Sequence, residues 1–229
     1  VTETDPQTEG TPALEAKATL PDSQRTATAA NAFVSAARDA LEGRDAVNMV
    51  LLRGFSRRPH LPQMGEHYRL KPAAIAAYPM YRGIAQLVGM KVLQTGETFD
   101  EELATLESHF SEHDFFFLHY KPADAAGEDG DFVAKVTALE QLDSHVPRLL
   151  ELDPDVLVVA GDHASPALIG GHSWHPVPLL VSSRLTRPGY GVPGLSERDC
   201  ATGSIGHVPA TSVMMLAMAH AGKLRRFGP

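Results

Sequence analysis

Short apolar runs that each end in a polar loop constrain this chain more than any other feature. Val47–Leu52, Asp114–Tyr120, Asp155–Ala160 and Pro178–Ser182 have the length and character of strands buried on both faces. Between them lie segments with helical spacing. Residues 23–42 are Ala-rich, with Ala30, Phe33, Val34, Ala37 and Leu41 in register and Gly43 as a stop. Residues 71–88 read as a helix interrupted at Pro79 and Gly83, so a kink or two short helices are expected. Lys91–Leu93 reads as a short strand, and 99–111 and 131–150 as helices. A last helix spans 209–222, with Pro209 in its first turn and Gly222 at its end. Strands that alternate with helices predict an α/β fold, a mostly parallel sheet flanked by helices. Residues 1–25, with Pro6, Gly10, Pro12 and Pro21, read as loop.

Composition excludes several classes. Of the 229 residues, 43% are hydrophobic and 21% charged, which is enough for a real core and argues against global disorder. The net charge is −8 and no basic block occurs, so there is no face for neutralising a phosphate backbone and nucleic acid is not an expected partner. The lone Cys200 rules out an intramolecular disulfide and a Cys-rich zinc site, and fits a reducing cytoplasm. No apolar stretch reaches the roughly 18–20 residues of a membrane span. The acidic start, Val1-Thr2-Glu3-Thr4-Asp5, is no secretory signal, and the missing Met suggests a processed or truncated chain.

Sites on parallel α/β sheets collect at the C-terminal strand ends. Two such ends here carry metal-type ligands. The 114–120 run leads into Lys121-Pro122-Ala123-Asp124, then Glu128, Asp129 and Asp131; the 155–160 run leads into Gly161-Asp162-His163. A third segment holds His172-Ser173-Trp174-His175-Pro176-Val177-Pro178. Imidazole and carboxylate together suit Mn²⁺ or Zn²⁺, and adjacent ligands on a strand-end loop can serve two ions. Each piece alone also has a plain reading. Asp162-His163 could be a helix cap and its neighbour, Asp124 a loop or cap residue, and Asp129 or Asp131 the start of the 131–150 helix. His119 reads as a strand residue, and His175 stays unassigned. The combined order, D-x-x-x-E, then DH, then H-S-x-x-P-V-P, is far more specific than its parts.

Those motifs resemble the metal-binding end of the alkaline phosphatase superfamily. Within it the chain is similar to the cofactor-independent phosphoglycerate mutases of the archaeal type. Asn48–Gly54 resembles that family's N-x-x-x-L-R-G strand, and Lys71–Met90, with Tyr78-Pro79-Met80, its helix ending in G-M. Asp124–Asp143 resembles D-x-A-G-(H/E)-D-G-D-x-x-x-K-V-x-x-(I/L)-E-x-x-D. Thr4-Asp5-Pro6 with Ala27–Leu41 resembles a T-D-P turn and its helix, and Phe227-Gly228 a terminal F-G-A.

The resemblance implies a cytoplasmic isomerase of glycolysis and gluconeogenesis, interconverting 3-phosphoglycerate and 2-phosphoglycerate without bisphosphoglycerate. It implies two divalent ions, Mn²⁺ first, with Mg²⁺, Zn²⁺ or Co²⁺ as alternatives. Asp124, His172 and Glu128 match ligands of one ion, although position 128 is usually His in the wider superfamily. Asp162 and His163 match ligands of the other. Lys121 and Arg53, at strand ends, are candidates for contacting phosphoryl oxygens. Family members are considerably longer, and no Ser here has a nucleophile's context. The chain therefore resembles the C-terminal part of such an enzyme. Residues 1–46 would be the remnant of an inserted substrate domain, and 47–229 the second part of an alkaline-phosphatase-like core, incomplete at its N-terminal side. The expected partners are phosphoglycerate, the missing N-terminal part and, in a homo-oligomer, further copies of the chain, with no membrane. The alternatives are another phosphohydrolase or phosphomutase of the superfamily, or a non-catalytic metal-binding fragment.

Overall fold

The computed structural model describes residues 1–186 and 194–224. The chain divides into two compact units, Val1–Leu61 and Pro62–Pro229. The Phe227-Gly228 motif lies outside the described residues.

In the first unit a 3₁₀ turn at Pro21–Ser23 leads into α1, Gln24–Ala40. Its buried stripe is Ala27, Ala30 and Val34, while Phe33 points outward at 54% exposure. Asn31 ties α1 to the preceding loop, accepting the Ala16 N–H at 2.8 Å and donating to its carbonyl at 3.0 Å. The strand expected at 47–52 does not form. A strand needs a continuous ladder, and among the described residues only Leu52 of this run is paired, with Thr4. Its carbonyl accepts the Thr4 N–H at 2.8 Å and its N–H donates to the Thr4 hydroxyl at 2.7 Å. Val47 and Leu51 consequently stay exposed, whereas Thr4 is fully buried.

In the second unit a short helix α2, Met64–Tyr68, precedes β1, Pro72–Ile75. α3 follows at Pro79–Leu87, β2 at Lys91–Val92, α4 at Phe99–His109 and β3 at Phe115–Leu118. The three strands form a parallel sheet in the order β2-β1-β3, with Ala73 opposite Lys91 and Phe116. The 71–88 helix expectation is thus corrected in its first third. The residue before a proline is pushed to extended backbone, and Pro72 and Pro79 impose this at both ends of the segment. Burial does the rest. Ala73, Ala74, Ile75 and Ala76 are at most 1% exposed, and central burial between two strands overrides the helix propensity of alanine. Around β1 the core gathers Ile75, Leu93, Leu103 and Leu106, with Phe99, Phe116 and Leu149 against it.

Two further helices follow β3: α5, Pro122–Glu128, and α6, Phe132–Glu151, which Asp131 caps by accepting the Ala134 N–H at 2.9 Å. Arg148 on α6 clasps Glu107 on α4 through two bonds of 2.5 and 2.8 Å. β4, Val156–Ala160, then pairs with β5, Leu179–Ser183, and this pair is antiparallel. The departure from a wholly parallel sheet has a local cause. A parallel return needs a crossover, and residues 161–178 contain no helix, only the loop that carries the histidines. α7, Glu197–Cys200, and α8, Val213–His220, complete the unit; a 3₁₀ turn at Ala210–Ser212 replaces the start of the expected 209–222 helix. Among the described residues no helix is long and apolar enough to cross a membrane.

One core residue is charged by type. Glu102 on α4 is 3% exposed and accepts the Ala77 N–H at 2.6 Å. Burial pushes its carboxyl up to about 7, against that hydrogen bond, which favours the charged form. Folding therefore favours protonated Glu102, and stability is lost as pH rises from the ordinary carboxyl range through 7. Glu102→Gln, which cannot ionise, is expected to exceed the parent in stability at pH 8 by up to about 3 kcal/mol. Most of that gap should close at pH 5. Urea midpoints of both proteins at the two pH values check this.

Candidate metal centre

The polar segment after β3, read from sequence as a ligand-bearing loop, is helix α5. Pro122 starts it, since its fixed φ and missing N–H suit a first helical position. Asp124 and Glu128 are four residues apart and so share one helix face. Lys121, just before the helix, reaches back over that face. Its ammonium donates to Asp124 and, at 3.2 Å, to Glu128.

α5 lies hard against the loop after β4. A Cβ on Gly127 would stand 2.1 Å from the Ser165 carbonyl oxygen, so only glycine permits the approach. Lys135 on α6 donates to that same carbonyl at 2.6 Å. The loop thus brings His163 to Asp124. The return segment is pinned by an isolated bridge, with the Ser173 N–H donating to the Ala164 carbonyl at 2.9 Å. This pairing lays the His172 ring over that of His163, with centroids 3.8 Å apart.

The five ligands expected from sequence are therefore brought together. Asp124, His163 and His172 each offer an atom within 4.8 Å of the others. Asp124 Oδ1 lies 3.7 Å from His163 Nδ1 and 3.9 Å from His172 Nε2. Glu128 joins at the rim, with Oε1 3.0 Å from His172 Nε2. Asp162 Oδ2 faces the other nitrogen of His163, Nε2, at 3.5 Å. His163 thus stands between the two ligand sets that the resemblance assigns to separate ions.

Asp124 Oδ1 and His163 Nδ1 are buried and, among the described residues, lack hydrogen-bond partners. They are too far apart to bond each other, yet both are lone-pair donors of the kind a borderline cation takes. A carboxylate and two imidazoles facing one point fit a divalent transition ion. Electrostatics agree. Burial opposes ionisation of Asp124, but the Lys121 ammonium, the nearby Ser165 hydroxyl and His163 outweigh it and hold the carboxyl below its usual range. Asp162 is likewise depressed, with the Tyr81 hydrogen bond and His163 overcoming burial. For Lys121, burial is outweighed by bonds to Asp124 and Glu128, so it stays charged.

Sequence reading missed an aromatic side of the site. The Tyr81 hydroxyl donates to Asp162, and burial together with that carboxylate pushes its phenol well above the ordinary range. The Tyr81 ring stacks on His119 at 3.8 Å, and Tyr78 lies 5.3 Å under the Lys121 ammonium. The available signal was Pro79, which starts a helix directly after a strand and so sets Tyr81 in its first turn. His119, read from sequence as a strand residue, follows directly after the end of β3; burial holds it below its usual range, and its ring lies against Tyr81. Arg53 belongs to the first unit and pairs there with Asp5 at 3.3 Å. His175 bonds Ser173 at 2.8 Å rather than a ligand.

Gly127→Ala tests the packing that assembles the cluster. The added methyl must displace the Ser165 backbone, and overpacking of this kind costs about 1–3 kcal/mol. A lower melting temperature and a weaker Mn²⁺ isotherm than the parent's are expected, measured by calorimetry.

Comparison with known proteins agrees with this geometry. Residues 4–220 match the family model described as "Metalloenzyme superfamily". The chain is 46% identical over 228 residues to a "Probable 2,3-bisphosphoglycerate-independent phosphoglycerate mutase" of Thermotoga neapolitana, covering 100% of this chain and 57% of that protein. It is 45% identical over 224 residues to the protein of the same description from Thermosipho melanesiensis, covering 98% and 56%. The chain thus spans little more than half the length of the curated relatives it matches. A solved structure titled "Cofactor-Independent Phosphoglycerate mutase from Thermoplasma Acidophilum DSM 1728" superposes with a TM-score of 0.59 at 25% identity, over 96% of this chain and 58% of that one. The PH0037 protein of Pyrococcus horikoshii superposes with a TM-score of 0.69 at 25% identity, over 73% and 54%. With a family match across almost its whole length, the chain belongs to the Metalloenzyme superfamily.

Proposed function

We propose that this chain is the metal-binding part of a cytoplasmic phosphoglycerate mutase that interconverts 3-phosphoglycerate and 2-phosphoglycerate without bisphosphoglycerate. The observation that carries the reading is the Asp124–His163–His172 group with its two orphaned buried atoms. Asp124, Glu128 and His172 would hold one divalent ion, and Asp162 with His163 a second; the mixed imidazole and carboxylate donors suit Mn²⁺ or Zn²⁺, and the family resemblance puts Mn²⁺ first. Such ions, when bound, lower the pKa of an attacking hydroxyl and neutralise phosphoryl oxygens.

The chain's own residues do the rest. Lys121, charged beside Asp124 and Glu128, would meet transferring phosphoryl oxygens; Arg53 is the second candidate. Tyr81 orients the Asp162 carboxylate through its hydroxyl. The phosphoryl-accepting Ser or Thr would come from a portion that the longer relatives possess. Residues 1–46 would close an inserted substrate domain, and 47–229 would be the second part of the core. A nearby apolar surface supports a covering portion of the same enzyme: Phe132 and Val133 are 71% and 72% exposed, and Leu168 and Trp174 are 98% and 86% exposed.

Conversion of 3-phosphoglycerate is assayed with Mn²⁺ and again with excess chelator. This is done for the chain alone and for a fusion carrying the N-terminal portion of the Thermotoga neapolitana relative ahead of it. Chelator-sensitive activity in the fusion alone is expected, and Asp124→Asn should reduce it at least about a hundredfold, the scale of losing a group that stabilises transition-state charge. Phosphate release without 2-phosphoglycerate would favour a phosphohydrolase. Mn²⁺ binding with no turnover in either form would favour a non-catalytic fragment.

A further inference from the structure

Glu102 sits outside the ligand set, yet its one strong contact leads straight to it. It lies in the first turn of α4, beside the core residues Leu103 and Leu106, and is 3% exposed. Among the described residues no ion pair accompanies it. A buried carboxyl with no cation is costly where an apolar side chain would pack. Its oxygen accepts the Ala77 N–H at 2.6 Å. Ala77 belongs to the turn between β1 and α3, and that turn has few other anchors. Pro79 supplies no N–H, and the first bond of α3, from Arg82 to the Tyr78 carbonyl, is long at 3.5 Å.

What the turn carries is the aromatic side of the metal centre. Tyr78 follows Ala77 directly and lies under the Lys121 ammonium at 5.3 Å. Tyr81, one helical turn on, donates to Asp162 and stacks on His119. We propose that Glu102 is a positioning residue of the metal centre: by holding the Ala77 amide it fixes the β1–α3 turn, and so seats Tyr81 on Asp162. This rests on the reading that the cluster binds a divalent cation.

Outer partners of metal ligands are worth about 10–100-fold in metal affinity. Mn²⁺ titration calorimetry on the chain is therefore the test. Tyr81→Phe and Glu102→Ala should each weaken Mn²⁺ binding about tenfold, and the double variant should be no weaker than either single, because both act through one contact. Glu102→Gln keeps an oxygen toward Ala77 and should stay within about twofold of the parent. Thr98→Ala removes the N-cap of the same helix without touching Ala77, and should leave affinity unchanged. Should Glu102→Ala fail to fold, Glu102→Asp, whose shorter carboxylate retracts from Ala77, carries the same expectation. Parent-like affinity in Glu102→Ala or Glu102→Asp while Tyr81→Phe weakens binding would overturn the proposal alone. So would additive losses in the double variant, or an equal loss in Thr98→Ala. No Mn²⁺ binding by the parent would overturn the reading of the site itself, and the proposal with it.

Discussion

The close approach of α5 to the loop after β4 is the contact on which the metal centre depends. Gly127 admits the Ser165 carbonyl where any side chain would collide with it, and Lys135 from α6 donates to the same oxygen. One backbone group thereby ties together three segments. Asp124 lies three residues before Gly127, and His163 two before Ser165. A shift of α5 by the width of a methyl group would separate the carboxylate from the imidazole. The ligand residues define what is bound, but glycine and a backbone carbonyl define whether they meet.

Charge is the second constraint. Asp124, Glu128 and Asp162 converge within one small region, and like charges at that range disfavour one another's ionisation. Lys121 offsets two of them, and Tyr81 donates to the third. His163 lies between Asp124 and Asp162, with one ring nitrogen toward each. Among the described residues this division leaves Asp124 Oδ1 and His163 Nδ1 without hydrogen-bond partners. Asp124 and Asp162 are thus held below the usual carboxyl range while Asp124 keeps one oxygen unbonded, which is the condition a cation site requires.

The ligands were legible because their chemistry is written in residue type and order. D-x-x-x-E, DH and H-S-x-x-P-V-P name five positions that the fold brings together, and spacing of four puts Asp124 and Glu128 on one face once a helix forms. The strands at 115–118, 156–160 and 179–183 were equally plain, being continuous apolar runs. β1 was not, because Pro72-Ala73-Ala74-Ile75 carries helix-forming residues and its identity is set by neighbours far along the chain. The 47–52 run shows the converse: strong apolar character forms no strand without a ladder to join. Pro79 marks only the helix turn that carries Tyr81; the contacts of Tyr81 and Glu102 were not legible, since their partners lie 81 and 25 residues away.

The misread strand and the unexpected carboxylate have one origin. Small side chains on β1 let α4 pack tightly, with Leu103 and Leu106 in the core beside Ala73 and Ile75. That packing forces the neighbouring Glu102 inside, at the end of β1 where the chain must turn. The partly buried N–H of Ala77 at that turn needs an acceptor, and an apolar residue at 102 could not supply one. The alanines that obscured the strand thus create the place in which a buried carboxylate is useful. Packing at the centre of the sheet and geometry at the rim of the metal centre are therefore consequences of the same four-residue strand.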